Sequence, residues 1–384
     1  MPTEPVLPSV TADGRLREMP PDPNEPKGAS SEPRLFDITS LTVAAQLPEY
    51  LELMKNGRKR LPTGWTLVDQ TLHDGGRDEH GNPLSGGFVI PSVVILGAQP
   101  KAGKSTFAQI TAEHIAEHGG WVYYLDIENG RRRFFERLLC RRAKVGPGYR
   151  TSEEQERFEA AAAEWYALGG PGSRFLLDTD RALTPLDISE RVRALRRIAG
   201  DAPVFVVLDS LQKLHVADLG DRRSGTDSWL REIEALRNDP EICPVILVIC
   251  ELKRTPNGRY EPTISAFKES GDIEYTGDLL LSMTVDAGND DDLAPRPGDP
   301  TAHAWTDTRD SQPATLRIIA DRDGSFGRVA EYQTIFPFHG MRESEPAPVT
   351  KEAKDAGIRK GTTTRESSPR ARQQELGVGF EGEQ

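Results

Sequence analysis

Short apolar runs alternate with longer amphipathic segments through the central part of the chain. Most of the intervening segments carry apolar side chains at the three- and four-residue spacing of helices. This alternation is typical of an α/β fold, in which helices cover both faces of a mostly parallel, twisted sheet. The runs that predict strands are Val93–Leu96, Trp121–Asp126, Arg174–Leu177, Val204–Asp209, Pro244–Cys250, Leu279–Val285, Thr315–Ala320 and Val329–Ile335.

The ends of several elements are also marked in the sequence. The last two predicted strands are joined by a short polar segment that contains Asp323-Gly324, so we expect a C-terminal antiparallel hairpin. Thr151-Ser-Glu-Glu154 has the form of a capping box that opens a helix. Thr184-Pro185 places a capping hydroxyl directly before a proline at the first helical position.

Composition changes at both ends of this central region. Residues 1–35 and 341–384 are polar and have too few apolar side chains to offset the entropy of ordering, so both tails are predicted to be disordered. Residues 36–60 contain the amphipathic segment Thr42–Met54, which we interpret as a linker helix. A helix of this length is too small to fold alone and must dock on other structure. The main domain is predicted to span residues 61–340.

Charge and hydropathy limit the functional classes. The 384-residue chain has a formal net charge of −12, which excludes a uniformly basic nucleic-acid-binding surface but permits a local basic channel. No apolar stretch approaches the roughly 18 residues of a membrane-spanning helix. The acidic, Pro-rich beginning of the chain lacks the features of a signal peptide, and the cysteines form no C-x-x-C pair. We therefore expect a soluble cytoplasmic protein with no membrane partner.

The stretch Gly97-Ala-Gln-Pro-Lys-Ala-Gly-Lys-Ser105 is a complete G-x-x-x-x-G-K-[ST] phosphate-binding loop. A predicted strand enters it, and a predicted helix that begins at Lys104 leaves it. Gly97 and Gly103 would let the backbone turn tightly, so that its N–H groups face phosphate oxygens. Lys104 would contact the β- and γ-phosphates, and the Ser105 hydroxyl would bind Mg²⁺. The sequence therefore predicts a nucleoside triphosphate site.

Carboxylates follow two predicted strands at the edge of the sheet where this loop would lie. Asp209 ends an apolar strand, a position from which a carboxylate organises Mg²⁺ in phosphoryl-transfer sites. Asp126 and Glu128 end the strand that follows the phosphate-loop helix, and alternate residues of a strand point the same way. Either of these two could face the γ-phosphate, and both could equally be solvated turn acids.

Three further stretches carry a family resemblance. Leu61-Pro-Thr-Gly-Trp-Thr-Leu-Val-Asp69 looks like a P-T-G-F…L-D lead-in, and Val207-Leu-Asp-Ser-Leu-Gln212 looks like an I-D-Y-L-Q segment. Lys268-Glu-Ser-Gly-Asp-Ile-Glu274, followed by Asp278, looks like an R-E-S-G-x-I-E-x-x-A-D element. In this order and spacing the motifs resemble the RecA-like motor domain of DnaB-type hexameric helicases, which include replicative and plasmid RepA-like enzymes. The resemblance covers about residues 61 to 338 and implies a RecA-like P-loop NTPase core.

The resemblance implies catalytic roles position by position. Glu128 falls on the catalytic glutamate that polarises the attacking water, and Asp209 falls on the Walker B aspartate. Arg322 falls on the arginine finger that reaches the γ-phosphate of the neighbouring subunit. That role suits a permanently charged, planar guanidinium. The catalytic residues implied by the resemblance are therefore Lys104, Glu128 and Arg322.

Two positions depart from the family pattern. The γ-phosphate-sensing glutamine of the family is Glu251 here, and the lysine that accompanies the finger is Ala320. With no segment that resembles the family's amino-terminal helical domain, these departures favour a ring motor of a plasmid, phage or integrated element over a main replicative helicase. The implied ATP site, with Ser105 and Asp209 as Mg²⁺ ligands, comprises Gly97, Ala98, Gln99, Pro100, Lys101, Ala102, Gly103, Lys104, Ser105, Thr106, Asp209 and Glu251.

Basic residues in two predicted loops are candidates for contacts to single-stranded DNA in a ring channel. Such contacts are independent of base sequence and weaken with salt, and each residue alone could equally be a solvated surface charge. The resemblance adds three positions that touch the DNA backbone in the family. The six predicted positions are Arg222, Arg223, Arg254, Lys268, Glu269 and Gly271.

A finger that acts in trans implies a homo-oligomer, most simply a hexamer, and a ring on DNA implies a loader or another replication partner. The leading hypothesis is an ATP-dependent DNA helicase or translocase that acts in replication of a chromosome or mobile element. Ser210 and Asp126-Ile-Glu128 are equally similar to RecA, so the alternative is a RecA/RadA-like or regulatory DNA-associated ATPase without unwinding activity. Glu251 and Ala320 leave open a nucleotide-binding module with degraded catalysis.

Overall fold

The computed structural model describes residues 47–48, 51, 58–72, 86–215, 222–254, 260, 262–267, 273–285, 311–322, 327–335 and 338–344. The chain divides into two units, Met1–Gly57 and Arg58–Gln384. In the first unit, residues 47–48 and 51 are helical, and the rest of the predicted linker helix lies outside the described residues. The predicted tails lie outside the described residues as well, except for residues 341–344.

The second unit contains strands and helices in alternation. Its strands are β1 (Arg60–Leu61), β2 (Phe88–Val89), β3 (Ser92–Ala98), β4 (Trp121–Asp126), β5 (Phe175–Asp178), β6 (Val204–Asp209), β7 (Val245–Glu251), β8 (Leu279–Val285), β9 (Ser311–Asp321), β10 (Gly327–Ile335) and β11 (Gly340–Ser344). Its α-helices are α1 (Thr66–Thr71), α2 (Lys104–Glu117), α3 (Gly130–Ala143), α4 (Ser152–Tyr166), α5 (Pro185–Ala199), α6 (Arg222–Asn238) and α7 (Ile273–Thr276). Short 3₁₀ helices lie at Pro171–Arg174, Leu211–Lys213 and Ile264–Phe267.

Within the described part of the chain, nine strands form one sheet in the order β11-β10-β9-β8-β3-β7-β6-β4-β5. The strands from β8 to β5 run parallel, and β9, β10 and β11 add an antiparallel end. Strands β1 and β2 form a separate antiparallel ribbon. The predicted α/β fold, with its mostly parallel sheet and C-terminal hairpin, is confirmed.

Strand β11 is an element that the sequence pattern does not predict. The prediction ends the domain at residue 340, where this edge strand begins, and it was wrong to assign residues 341–344 to a disordered tail. Met341 is the one large apolar residue of β11, so the strand has no period-two signal. Glu343 fastens it instead, because its carboxylate accepts hydrogen bonds from the Tyr332 hydroxyl (3.1 Å) and the Leu67 N–H (3.2 Å).

Helices cover both faces of the parallel part of the sheet. Helix α2 packs on one face, and helices α5 and α6 pack on the other. Along β3, Val94 and Leu96 face the first core while Val93 and Ile95 face the second. Every residue of β3 is buried, as expected of a parallel strand between two helical layers.

Both predicted helix starts are confirmed. Thr151 opens α4 with a capping box, in which its hydroxyl accepts from the Glu154 N–H and the Glu154 carboxylate accepts from the Thr151 N–H. At α5, Thr184 and Asp187 form the same reciprocal pair, with Pro185 at the first helical position between them. These caps satisfy backbone donors that a helix start otherwise leaves free.

The parallel strands all end at one edge of the sheet, which we call the carboxyl edge, and all start at the opposite edge, the amino edge. Strands β3, β7, β6 and β4 are neighbours in the sheet, so the residues that end them lie side by side. Ala98 is in register with Glu251, and Asp126 is in register with Asp209. Open α/β sheets bind ligands at this edge, and the fold brings the predicted nucleotide-site residues together there.

Candidate active site at the carboxyl edge

The phosphate-binding loop connects β3 to α2 as predicted, but its two glycines serve different purposes. Gly103 has a φ of 94°, the left-handed conformation that favours glycine, and it directly precedes Lys104 at the start of α2. Gly97 instead lies within β3. A Cβ at Gly97 would clash with the ring of Phe267 and come within 2.6 Å of the Leu252 side chain. Close packing, and not a turn, therefore requires glycine at this position.

Lys104 lies between two carboxylates. Its ammonium is 3.8 Å from Glu128 Oε2 and 3.7 Å from Glu251 Oε1, and its side chain is only 9% exposed. Glu128 follows β4 and Glu251 ends β7, and both strands lie on the same side of β3 in the sheet, so both glutamates reach the lysine at the carboxyl edge. A buried ammonium needs such partners because burial of an unpaired charge is costly.

Asp209 is the most buried acid of the site. Its carboxylate accepts hydrogen bonds from the Ser105 and Tyr124 hydroxyls, the latter at 3.2 Å. Burial, reinforced by the negative charges of Asp126 and Glu128, raises the pKa of Asp209 to about 7, although the Ser105 hydrogen bond and Lys104 oppose the rise. Asp209 Oδ1 is buried and has no hydrogen-bond partner, which leaves one acceptor available to a ligand.

The structure separates the two acids at the end of β4. Asp126 Oδ1 accepts the backbone N–H groups of Asn129 (2.7 Å) and Gly130 (3.4 Å), so this carboxylate fastens the turn that opens α3. Burial raises the pKa of Asp126, while these hydrogen bonds lower it. Glu128 instead extends to Lys104, and its Oε2 accepts a hydrogen bond from the Ser210 hydroxyl at 3.1 Å. Of the two, Glu128 is the acid beside the phosphate loop.

A cleft of about 360 Å³ lies against the loop and contains residues that were not predicted from the sequence. Besides Lys104, Ser105 and Glu128, its wall includes Arg137 on α3 and His339 in the turn before β11. Burial, together with the charges of Arg137 and Arg141, lowers the pKa of His339. Arg137 follows the start of α3 by two helical turns, so helical periodicity could have indicated that it faces the loop. His339 gave no signal because β11 was not predicted.

Arg322 lies at the amino edge, far from this cleft. Its backbone N–H donates to the Asp278 carbonyl oxygen at 3.0 Å, which fixes the residue beside the start of β8. Strand β3 separates that edge from the phosphate loop and is about 20 Å long at 3.3 Å per residue. The Arg322 side chain, which is 54% exposed, therefore cannot reach the phosphate loop of its own subunit.

Of the remaining predicted site residues, the structure describes only some. Glu251 ends β7 beside Ala98, and the Arg254 side chain donates from Nε to the Tyr260 hydroxyl at 2.8 Å. Arg222 and Arg223 are the first residues of α6, but their side chains lie outside the described part of the structure. The predicted DNA contacts Lys268, Glu269 and Gly271 lie outside the described residues altogether.

Among the described residues, no helix is long and apolar enough to cross a membrane. The same residues contain no group of three or more histidine, cysteine or acidic side chains arranged to hold a metal ion.

Comparisons with known proteins identify relatives of this chain. It is 25% identical over 313 residues to the replicative DNA helicase DnaB of Haemophilus influenzae, an alignment that covers 79% of this chain and 60% of that protein. It is 24% identical to DnaB of Geobacillus stearothermophilus over 236 residues, which covers 59% of this chain and 47% of the relative. The chain thus spans about half the length of the curated relatives it matches.

Solved structures and a family match agree with these relatives. A DnaB-like replicative helicase, solved in a study of its interactions with primase, superposes with a TM-score of 0.60 and 18% identity, covering 79% of this chain and 67% of that one. A second solved structure, an ATPase domain, superposes with a TM-score of 0.57 and 18% identity, covering 80% of this chain and 99% of that one. These likenesses show a shared fold. Residues 82–334 match the DnaB-like helicase C-terminal domain, so this chain belongs to that family.

Proposed function

We propose that this chain is the ATP-hydrolysing motor of a DnaB-type helicase, which assembles as a ring, most simply a hexamer, and moves along single-stranded DNA. The observation that carries the proposal is the cluster at the carboxyl edge, where Lys104, Ser105, Glu128 and Asp209 meet at one phosphate loop. Phosphoryl transfer needs a phosphate cradle, a cation site and a group that positions water, and this cluster offers all three.

The residues at the loop fit a complex of Mg²⁺ and ATP. Asp209 Oδ1 is buried without a partner, and the Ser105 hydroxyl already lies on the same carboxylate. Carboxylate and hydroxyl oxygens suit a hard cation that keeps several waters and binds nucleotide phosphates. Ser105 and Asp209 would hold the ion, which supplies charge neutralisation at the β- and γ-phosphates when bound.

Glu128 is the residue that we assign to the attacking water. The Ser210 hydroxyl donates to its Oε2, so the carboxylate is held at the loop. A carboxylate in that position accepts a hydrogen bond from water and orients it toward the γ-phosphate. Lys104, now held between two glutamates, would transfer its contacts to the phosphates when the nucleotide binds.

Glu251 makes this site different from one with glutamine at the same position. Its carboxylate lies 3.7 Å from Lys104, so in the structure its charge is balanced. A bound γ-phosphate would compete for the same ammonium and place two negative charges close together. We propose that Glu251 lowers the affinity for the triphosphate without removing the site.

Arg322 would complete the site of a neighbouring subunit. Its position at the amino edge excludes its own phosphate loop, and its exposed guanidinium is able to contact another chain. An arginine finger supplied in trans stabilises the charge of the transition state and is worth about 10³–10⁵ in rate. This geometry supports an oligomer in which each active site is shared between two subunits.

The partners of this chain are proposed by relation to its relatives. The relatives from Haemophilus influenzae and Geobacillus stearothermophilus are named replicative DNA helicases, and the structural relative was studied with primase. We propose single-stranded DNA as the track, with contacts at Arg222, Arg223, Arg254 and the segment of Lys268, Glu269 and Gly271. A loader or another replication protein would be the protein partner.

The test measures ATP turnover with and without single-stranded DNA, followed by strand displacement on a forked duplex. We expect DNA-stimulated turnover that requires Mg²⁺, unwinding of the fork, and a ring by mass photometry. Lys104→Ala should abolish turnover. Stimulated turnover without unwinding would favour the RecA/RadA-like or regulatory ATPase instead, and nucleotide binding without any turnover would overturn the proposed hydrolysis.

A further inference from the structure

At the amino edge, one carboxylate serves two arginines from different elements. Asp278 Oδ1 lies 2.5 Å from Arg237 Nη1 and 2.8 Å from Arg322 Nη1. Its other oxygen, Oδ2, accepts the backbone N–H of Val93 at 2.8 Å. Oδ1 of Asp278 thus binds both Arg322, which we assign as the finger, and Arg237, which no part of the proposed mechanism uses.

Asp278 is fixed in place by strand β3. Besides the side-chain contact, its backbone N–H donates to the Val93 carbonyl at 2.8 Å. Its side chain is 18% exposed, so the carboxylate is largely shielded from water. A shielded carboxylate requires a cation close by, because an uncompensated charge in such a place is strongly destabilising.

The two arginines differ in their freedom to leave. Arg237 lies in the last turn of α6, and its side chain is only 16% exposed. Arg322 is 54% exposed, and apart from Asp278 its guanidinium donates to the Tyr275 carbonyl at 2.7 Å. Arg322 can therefore swing outward, while Arg237 remains with the carboxylate.

The presence of the second cation changes the cost of that movement. If Arg322 leaves, Asp278 keeps a charge-assisted hydrogen bond to Arg237, and the pair that remains is neutral. If Arg237 were absent, departure of Arg322 would leave the carboxylate without a cation. Two guanidinium groups on one oxygen also repel each other, which weakens the hold on the more exposed one.

We propose that Asp278 and Arg237 are positioning residues for the finger: Asp278 docks Arg322 in its own subunit, and Arg237 allows Arg322 to leave for the γ-phosphate of the neighbour. The inference rests on the proposed function, in which Arg322 acts in trans. Docking keeps an exposed arginine in one place when no nucleotide is bound next door, and release makes it available when a γ-phosphate competes with the carboxylate.

The test replaces the second cation. Among the described residues, Arg237→Gln leaves Arg322 as the one cation in contact with Asp278, so the finger should be held more tightly and kcat for ATP should fall on the order of tenfold. The KM for ATP and the size of the ring should stay unchanged, because neither depends on Arg237. Adding Asp278→Asn to the same protein removes the charge that holds the finger, and kcat should return to within about threefold of wild type.

A matched control is Arg193→Gln, which removes another arginine–aspartate pair, to Asp239 at 3.1 Å, on the surface of the same unit. It should leave kcat unchanged. If Arg237→Gln does not fold, Arg237→Lys keeps a weaker point-charge contact and should lose about threefold in kcat, again restored by Asp278→Asn.

The outcomes separate the inference from the function on which it rests. Unchanged kcat in Arg237→Gln, or a further loss when Asp278→Asn is added, would overturn the inference while wild-type turnover and its dependence on Arg322 stand. A wild-type protein without turnover, or full turnover in Arg322→Ala, would overturn the proposed function and the inference with it.

Discussion

The two edges of the parallel sheet hold their charges in opposite ways. Around the phosphate loop, three carboxylates lie near one buried lysine, those of Glu128, Asp209 and Glu251, and a fourth, that of Asp126, lies beside Asp209. At the amino edge, the cations outnumber the acid, because Asp278 contacts both Arg237 and Arg322. The carboxyl edge has an excess of negative charge and an unused buried acceptor, whereas the acid at the amino edge is fully partnered.

This difference indicates how each edge can act. A site with excess buried negative charge gains stability when it binds a cation, which suits the proposed binding of Mg²⁺ and nucleotide at the carboxyl edge. An acid that already contacts two arginines gains little from a bound cation, and it can act by exchanging one of those partners. We therefore expect substitutions at the carboxyl edge to alter nucleotide binding and hydrolysis within a subunit. Substitutions at the amino edge should alter the supply of Arg322 to the active site of the neighbouring subunit.

The sharpest test of the two roles, with the largest expected effect, is Arg322→Ala. If the amino edge supplies a finger in trans, kcat should fall about 10³-fold or more while ATP affinity stays within about threefold. The measurement is steady-state turnover together with equilibrium binding of a slowly hydrolysed ATP analogue. Arg193→Ala, on the surface of α5, is the matched control and should have no effect.

Mixing two inactive variants extends this prediction. Lys104→Ala removes the phosphate loop function of a subunit but leaves its finger, and Arg322→Ala does the reverse. Mixed rings should recover part of the turnover, because some interfaces then combine an intact loop with an intact finger. No recovery in rings shown by mass photometry to be mixed would mean that active sites are not shared between subunits.

Much of the carboxyl edge could be predicted from the sequence because its residues lie in local motifs at strand ends. The phosphate loop, Asp209 and Glu128 each follow an apolar run, and the parallel order of the strands then brings them together. The choice between Asp126 and Glu128 could not be made, because period-two alternation points both the same way. The structure distinguishes them through a turn, in which Asp126 binds the backbone of Asn129.

The amino edge could not be predicted in this way. Arg237 lies in α6, Asp278 directly before β8 and Arg322 directly after β9, and no spacing rule links these three positions. Strand β11 was missed for a related reason, since Met341 is its one large apolar residue and Glu343 fastens it by polar contacts. Pattern reasoning finds elements through burial of apolar side chains, so elements held by polar contacts escape it.

A second test at the carboxyl edge compares its neighbouring acids. Glu128→Gln should lower kcat by about 10²–10³ with ATP binding retained, because the variant keeps the shape but cannot orient and activate water as a carboxylate does. Asp126→Asn should mainly lower the unfolding temperature, since its carboxylate caps the start of α3. A larger loss of kcat in Asp126→Asn than in Glu128→Gln would reverse the assignment of the two acids.

A third and smaller effect is expected at Glu251. Glu251→Gln removes a negative charge 3.7 Å from Lys104, so affinity for an ATP analogue should rise about tenfold, equivalent to ~1.4 kcal/mol. Affinity for ADP should rise less, because ADP lacks the phosphate that competes with Glu251 for the lysine. Isothermal titration of both nucleotides measures the ratio, and Glu153→Gln on the exposed face of α4 is the control.

Equal gains for ATP and ADP in Glu251→Gln would show that Glu251 acts only by occupying Lys104 and does not face the γ-phosphate. A loss of affinity for both would mean that the glutamate supports the loop itself. After either result, Glu251 would no longer count toward the excess negative charge that distinguishes the carboxyl edge from the amino edge. Asp209 and its neighbours would then account for that excess.

The smallest expected effect is the contribution of Asp209, at the carboxyl edge, to the pH dependence of stability. Burial, with Asp126 nearby, raises the pKa of Asp209 to about 7 from an ordinary value of 3.8, so the folded protein binds this proton more tightly than the unfolded chain does. The cost of ionising Asp209 is absent below about pH 4, grows between pH 4 and 7, and is fully present above pH 7. The free energy of unfolding should therefore fall by about 1 kcal/mol between pH 6 and pH 8, roughly 2–4 °C in unfolding temperature.

Asp209→Asn should remove this part of the slope, and saturating Mg²⁺ with ADP should remove it in the wild type, because a bound cation favours the ionised carboxylate. If Asp209→Asn kept the wild-type slope, the excess negative charge at this edge would have to be relieved at another acid.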